Sequence, residues 1–295
     1  MKLCKPLFEI WEQSAGLEGV YRQIEKVSRV CYKSEDKITE DSAKPFVDRM
    51  IKSGHGAMLE HGTVYLKITY KDTDFTTLCM FYGKNKYSVL NHSEDNKIYY
   101  ITTNYRVLVE NNHLSDLKYL CEPTEYHERR VTVHFVCDRG ISHEFVRHRV
   151  MSFAQESTRY CNYSKDKFGN ELTFIKPCWL NIPTGQYAYW DGDWCNIDKM
   201  KIQLPEGEHK GIDTFLWTLN NAETHYTLLI NSGWKPQEAR AVLPNSLKTE
   251  LVMTGFVSDW KHFFELRCDS AAHPQARELA IPLKEEFIKK GYITE

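Results

Sequence analysis

Arg147-His148-Arg149-Val150-Met151-Ser152-Phe153-Ala154-Gln155-Glu156-Ser157-Thr158-Arg159-Tyr160 places three arginines, a histidine and two serines in fourteen residues, with the cations gathered at its two ends. A guanidinium is a planar fork of donors that stays charged and grips phosphate through paired hydrogen bonds. Serine hydroxyls and loop amides complete an anion pocket. The whole chain has 38 basic and 40 acidic side chains, a net charge of −2, so this density is local and points to a phosphate or nucleotide site rather than a basic surface. An Arg-His-Arg triplet alone also suits a solvated charged turn; the ordered serines and Arg159 argue against that reading.

Working outward, Val131–Val136 alternates and reads as a strand. It leads through Asp138-Arg139-Gly140 into a short helix for which Ser142 is the predicted N-cap. Arg147 and His148 then fall near the end of that helix, and Ser152 to Tyr160 reads as a loop or turn. Such a frame holds functional groups firmly while leaving the loop exposed. Apolar stripes at Val20, Ile24, Val27 and Cys31, and at Ala43, Phe46, Val47, Met50 and Ile51, predict helices, the second stopped by Gly54. Thr63–Tyr70 reads as a strand. A long helix is predicted over 213–231, broken at Gly233 and Pro236 before a short helix carrying Arg240. A strand over 247–256, a helix over 258–267 ending at Arg267, and a helix from near Pro274 to about Lys290 follow. Strands and helices do not alternate regularly, and no Gly-x-Gly-x-x-Gly follows a strand, so a Rossmann-type site is not indicated.

Composition sets the class. With 295 residues, 42% hydrophobic and 26% charged, the chain can bury a substantial core as one large domain or two closely joined ones. No apolar run reaches the eighteen or so residues of a membrane span, and the start, Met1-Lys2-Leu3-Cys4-Lys5-Pro6, lacks the apolar core of a signal peptide. We read a cytoplasmic protein. Nine scattered cysteines, an odd number with no Cys-x-x-Cys pair, read as reduced thiols.

The opening stretch resembles the signature Arg-His-Arg-x-x-Ser-x(4)-Ser-x-Arg of the flavin-dependent thymidylate synthases, with all six positions filled by Arg147, His148, Arg149, Ser152, Ser157 and Arg159. His55-Gly56-Ala57-Met58-Leu59-Glu60-His61 upstream is similar to that family's His-x(4)-Glu-His element. Glu238–Pro244 and Phe264–Ser270 downstream look like its two C-terminal arginine elements. The resemblance implies a single domain over 1–295 with insertions near 70–128 and 181–212. The implied fold is α+β, an antiparallel sheet flanked by helices. It further implies FAD as cofactor, NADPH and methylenetetrahydrofolate as co-substrates, conversion of dUMP to dTMP, and a homotetramer with shared active sites.

Residue by residue, it makes Arg267 the catalytic group, a guanidinium that polarises the uracil ring by oxyanion-hole logic. Ser157, Arg159 and Arg240 become anchors for the dUMP phosphate and sugar, joined by Gln155, Glu156 and Thr158. Glu144 and Arg147 also fall to the nucleotide, Arg147 where nucleotide and flavin meet. His148 and Arg149 become flavin contacts, with His55, Ala57, Glu60, Gln155, Ser258 and His262. Cys161, just after the signature, is tempting as a nucleophile, but the family signature has no cysteine there. The spacing of His55, Glu60 and His61 does not put two ligands on one helix face, so no metal is expected. His273 reads equally as a cofactor residue or as the start of the last helix. Ala57, Ala154, Glu144 and Phe256-Val257-Ser258 depart from the commonest pattern. The aromatic run Tyr187–Trp194 reads as a packed surface excursion in preference to a substrate lid. Two competing readings are a homologue that binds nucleotide without turnover and a nucleic-acid-binding module; the near-zero net charge argues against the second, and no nucleic acid or membrane partner is expected.

Overall fold

A four-stranded antiparallel sheet lies at the centre of the computed structural model, which describes residues 1–95, 97–190, 193–197, 200–201 and 209–294. Its order is β2 (Leu7–Trp11), β6 (Arg130–Asp138), β12 (Lys248–Phe256) and β7 (Ser152–Gln155). The long pair β6 and β12 runs in register from Arg130 opposite Phe256 to Asp138 opposite Lys248.

Strand alternation gives this sheet two different faces. Val131, Val133, Phe135 and Cys137 of β6, with Leu251 and Met253 of β12, form an apolar face. They are buried with side chains of α6 (Arg139–Phe145), α9 (Val257–Arg267) and α10 (Pro274–Lys289). Trp260, Phe263 and Phe287 fill that core without exposure, and the Trp260 indole donates to the Val131 carbonyl at 3.1 Å. The opposite face bears Arg130, Thr132 and His134 of β6 and Glu250 and Thr254 of β12. It lies under α1 (Gly16–Val30), where Trp11, Val27, Val30, Ala154 and Val252 make a small apolar cluster among polar neighbours.

Two further sheets flank this centre. In one, β3 (Thr63–Thr69), β5 (Ile98–Asn104) and β4 (Val89–His92) pair in that order. They share a core with α1 and α2 (Ala43–Lys52) through Ile24, Val47, Leu66 and Ile101. Short helices α3 (Gly56–Leu59), α4 (Phe75–Leu78) and α5 (Tyr105–Glu110) complete this region. The stretch 70–128 therefore supplies a full-length partner for β3 and buried side chains such as Tyr82 and Tyr105. In the other sheet the order is β11 (Met200–Lys201), β10 (Asp193–Asn196), β9 (Gly185–Trp190), β1 (Lys2–Cys4) and β8 (Thr173–Ile175). Its core includes Ile212, Leu216, Leu219 and Tyr226 of α7 (His209–Asn231). Part of the stretch 181–212 lies outside the described residues; within them, Tyr189 and Trp194 cluster with Trp217 of α7 at 4.6 and 5.2 Å between ring centroids.

The antiparallel α+β expectation holds at that level. The sheet is not single, however: among the described residues there are three, and β1 pairs with β8 in parallel. Three local expectations also change. Ser142 is not the N-cap of α6; Asp138 is, its carboxylate accepting from the Ile141 amide at 2.7 Å. Ser152–Gln155 is a strand rather than a loop, because β12 offers it a paired edge and the alternation of Ser152 and Ala154 with Phe153 and Gln155 fits. Arg240 stands just beyond α8 (Pro236–Ala239), in a 3-10 turn over Arg240–Val242. All nine cysteines are free, and among the described residues no helix is long and apolar enough to cross a membrane.

Candidate active site

The C-terminal end of α6 and the last turns of α9 face each other across a hollow of about 1190 Å³. Asp138 anchors the start of α6, its second carboxylate oxygen accepting from Gln275 Nε2 at 2.7 Å. After Phe145 the backbone tightens through Arg147 N–Glu144 O and His148 N–Phe145 O bonds. Glu144, Arg147, His148 and Arg149 thus line one side of the hollow, and Ser258, His262 and Arg267 line the other. Arg147 and Arg149 are exposed and have no carboxylate partner among the described residues, which leaves two guanidinium forks for an incoming anion.

Arg267 is already engaged. Its NH1 donates to Glu144 Oε2 at 2.7 Å, its NH2 to the Glu144 carbonyl at 2.7 Å and its Nε to His148 Nε2 at 3.1 Å. Burial lowers the Arg267 pKa and Glu144 opposes that effect. Burial, then Arg267, then His262 depress the His148 pKa to about 4, so the imidazole is neutral at pH 7 and its Nε2 can accept.

A second group forms at the other end of β7. There Arg240 NH1 donates to Thr158 Oγ1 at 3.2 Å and the Arg159 amide donates to Ser157 Oγ at 3.3 Å. The Arg159 guanidinium lies over the Tyr160 ring, 5.4 Å from its centroid, and both residues are exposed. Ser157, Thr158, Arg159 and Arg240 are therefore neighbours, although Arg240 is distant in sequence. Gln155 and Glu156 are not free to join them. The Gln155 amide donates to Ser142 Oγ at 2.8 Å and Thr249 Oγ1 at 3.3 Å. Glu156 is 2% exposed, and its carboxylate accepts from Tyr163 OH at 2.9 Å and Lys248 Nζ at 3.0 Å. The amides of Glu156 and Ser157 are also spent, on the carbonyls of Glu250 and Cys31.

The expected flavin residues at the chain's other end form a third patch. His55 just before α3 and Ala57 within it are exposed, and Glu60 pairs with Arg106 at 2.6 Å at the edge of a separate hollow of about 330 Å³. Within one chain, then, His55, Ala57 and Glu60 do not line the hollow that holds Arg147, His148 and Arg149. His61 faces inward, its Nδ1 2.8 Å from Thr254 Oγ1.

Sequence reasoning missed Arg106, whose only signal is its helical spacing to Glu110, and the cations Lys33 and Lys248 beneath the signature. His273 starts α10, its ring accepting from the Gln275 amide, and it also lines the large hollow. Cys161 is 2% exposed, and burial and then Glu156 push its thiol up to about 12, the opposite of an activated nucleophile.

Comparison with known proteins finds relatives for this chain. The family model described as thymidylate synthase complementing protein matches residues 87–290. A flavin-dependent thymidylate synthase of Pyrococcus furiosus is 29% identical over 157 residues, 53% of each chain. One from Corynebacterium aurimucosum is 22% identical over 274 residues, covering 92% of this chain and 77% of the relative. The chain spans about half the length of the first relatives it matches. Among solved structures, a UMP/dUMP methylase from Streptomyces cacaoi bound with 5-Br UMP aligns at 16% identity over 98% of this chain and 92% of that one, with a TM-score of 0.45.

Proposed function

The chain belongs to the thymidylate synthase complementing protein family, and from that premise we propose that it is a flavin-dependent thymidylate synthase. The reaction would convert dUMP, methylenetetrahydrofolate, NADPH and a proton into dTMP, tetrahydrofolate and NADP⁺. The observation that carries this reading is the Arg267 guanidinium, held at the rim of an arginine-rich hollow by one carboxylate, one carbonyl and one neutral imidazole.

The residues present fit FAD. The hollow exceeds the roughly 300–1,000 Å³ of an ordinary small-molecule site, and Arg147 and Arg149 offer exposed cations for a diphosphate while His148 and His262 offer flat rings. Bound there, the flavin would supply the electrons that turn a transferred methylene into a methyl group. The chain's own residues would do the rest. Arg267 would turn from Glu144 toward the uracil carbonyl edge and stabilise the enolate-like charge there that makes carbon 5 nucleophilic, as a preplaced oxyanion donor does. Ser157, Arg159 and Arg240 would hold the nucleotide phosphate.

A homotetramer with sites shared between subunits would suit the separation of these groups. Arg147–Arg149 and Ser157–Arg159 stand at opposite ends of β7, and four strand residues alone span roughly 10 Å. The patch of His55, Ala57 and Glu60, which does not line the large hollow within one chain, would come from a neighbouring copy. The free cysteines suit a cytoplasmic enzyme.

The test is dTMP formation by the purified chain given FAD, NADPH, methylenetetrahydrofolate and dUMP, followed by chromatography, with each component omitted in turn. Product that requires both dUMP and flavin is the expected result. Tight binding of both with no product would leave a binding protein in place of an enzyme.

A further inference from the structure

The signature loop sits on a buried ionic network that the reaction does not use. Glu156 is its contact with the loop. Lys248 Nζ bridges Glu156 Oε2 and Glu250 Oε1. Glu250 also takes Lys33 Nζ at 2.8 Å on Oε1 and His134 Nε2 at 2.9 Å on Oε2. Two lysines thus face two carboxylates under α1, with His134 alongside and Glu35 pairing with Lys33 at the rim, at 3.0 Å. Burial alone would raise the Glu250 carboxyl, but His134, Lys248 and Lys33 outweigh it and hold it well below the usual range. Glu250 is therefore ionised at pH 7, and Lys33 and Lys248, both despite burial raised by their carboxylate partners, are charged with it.

Its geometry converges on one segment. The Glu156 amide donates to the Glu250 carbonyl at 2.8 Å, the Ser157 amide to the Cys31 carbonyl at 3.0 Å and the Cys161 amide to the Ser157 carbonyl at 3.0 Å. Residues 156–161 are thereby clamped between β12 and the end of α1. Lys33 just past α1 has φ 48°, a left-handed conformation that a side chain adopts at some cost and that glycine adopts freely. At this place a lysine instead of a glycine extends an amine to Glu250.

We infer that Glu156, Lys248, Glu250 and Lys33 are positioning residues that fix the Ser157–Arg159 loop for anion binding, and that the Glu156 carboxylate does not touch the ligand. Both of its oxygens are taken, by Tyr163 and Lys248. The inference rests on the reading of that loop as the nucleotide phosphate site, and it deepens it: affinity for the phosphate is set from the end of α1 and the start of β12, neither of which reaches the ligand.

The experiment compares the full chain with Lys33→Gly, Lys248→Met and Glu156→Gln by amide hydrogen exchange without ligand and by calorimetric titration with dUMP. Lys33→Gly relieves the backbone strain while deleting the amine, so it separates positioning from stability. Its thermal midpoint should hold within about 2 °C. Exchange at residues 156–161 should nonetheless rise about tenfold and dUMP should bind about tenfold more weakly, the equivalent of one lost charged hydrogen bond. Lys248→Met should change loop exchange and affinity in the same direction. Unchanged exchange at 156–161 in Lys33→Gly would overturn the inference, as would a loss of dUMP binding confined to Glu156→Gln, which would mark a direct contact. If the parent chain itself bound no dUMP, the proposed function would fail, and the exchange data alone would decide for or against the clamp.

Discussion

Arg267 and His148 meet nitrogen to nitrogen, the guanidinium Nε donating to the imidazole Nε2 at 3.1 Å. A guanidinium has no acceptor, so the ring must present its lone pair at Nε2 and carry its proton on Nδ1. The low pKa of His148, about 4 and set first by burial and then by Arg267, keeps it in that form. The same bond orients Arg267 at the end of α9, where a cation is also favoured by the helix dipole.

Glu144→Gln should tighten nucleotide binding. In the free chain the Glu144 carboxylate competes for Arg267 at 2.7 Å, and an amide would compete with a neutral hydrogen bond in place of a charged one. That difference is about 1 kcal/mol, so the dissociation constant for dUMP should fall roughly fivefold. Calorimetry on the two proteins decides it. Weaker binding in the variant would mean that Glu144 is itself a ligand contact and not a holder of Arg267.

Arg159→Ala should weaken dUMP binding by about tenfold to a hundredfold, the loss of one arginine–phosphate fork. The residue is exposed and stacks on Tyr160, so the thermal midpoint should barely move. A large drop in stability with unchanged affinity would make Arg159 a structural residue instead.

How much of this was legible beforehand depends on where each signal sits. The arginines of the signature were readable because guanidinium type and spacing are local, and Arg240 reached Thr158 as the grouping implied. Strand β7 was not readable: four mostly small or polar residues become a strand only because β12, far along the chain, pairs with Leu251 opposite Gln155 through Thr254 opposite Ser152. The fate of Glu156 was hidden for the same reason. Its partners Tyr163 and Lys248 come together only once β12 is in place. His55 and Glu60 were placed by resemblance in one flavin site with Arg149, while in the single chain neither lines the hollow of Arg149 and Glu60 lines a separate one.

Acid should destabilise the fold through His61. The ring is fully buried, and burial first and Arg130 second lower its pKa to about 3. In the unfolded chain the value is about 6.5, so the unfolded state binds the extra proton as pH falls below 6.5, and stability is lost between there and pH 3. From pH 6.5 to 4.5 the loss is roughly 2 kcal/mol. His61→Asn has no group that titrates there and can keep a bond to Thr254. Denaturant midpoints at the two pH values should fall further for the parent than for the variant; parallel curves would remove His61 from the acid response.

Gly62→Ala should loosen the joint between α1 and β3. A Cβ at Gly62 would lie 2.7 Å from Ile24 Cδ1 and 2.8 Å from Val20 Cγ1. Both side chains are buried, at 0% and 1% exposure, so neither can swing into solvent and α1 itself must move. Overpacking of this kind costs about 1–3 kcal/mol. Trimming the opposing side chain should return part of that, so Gly62→Ala combined with Ile24→Val should be more stable than the sum of the two single changes, a coupling that a double-mutant cycle in urea reads directly. Strict additivity would mean that the backbone around Gly62 gives way instead. Because Cys31 and Lys33 at the end of α1 clamp the signature loop, the single variant should also bind dUMP more weakly than the parent, and the double variant should recover affinity along with stability.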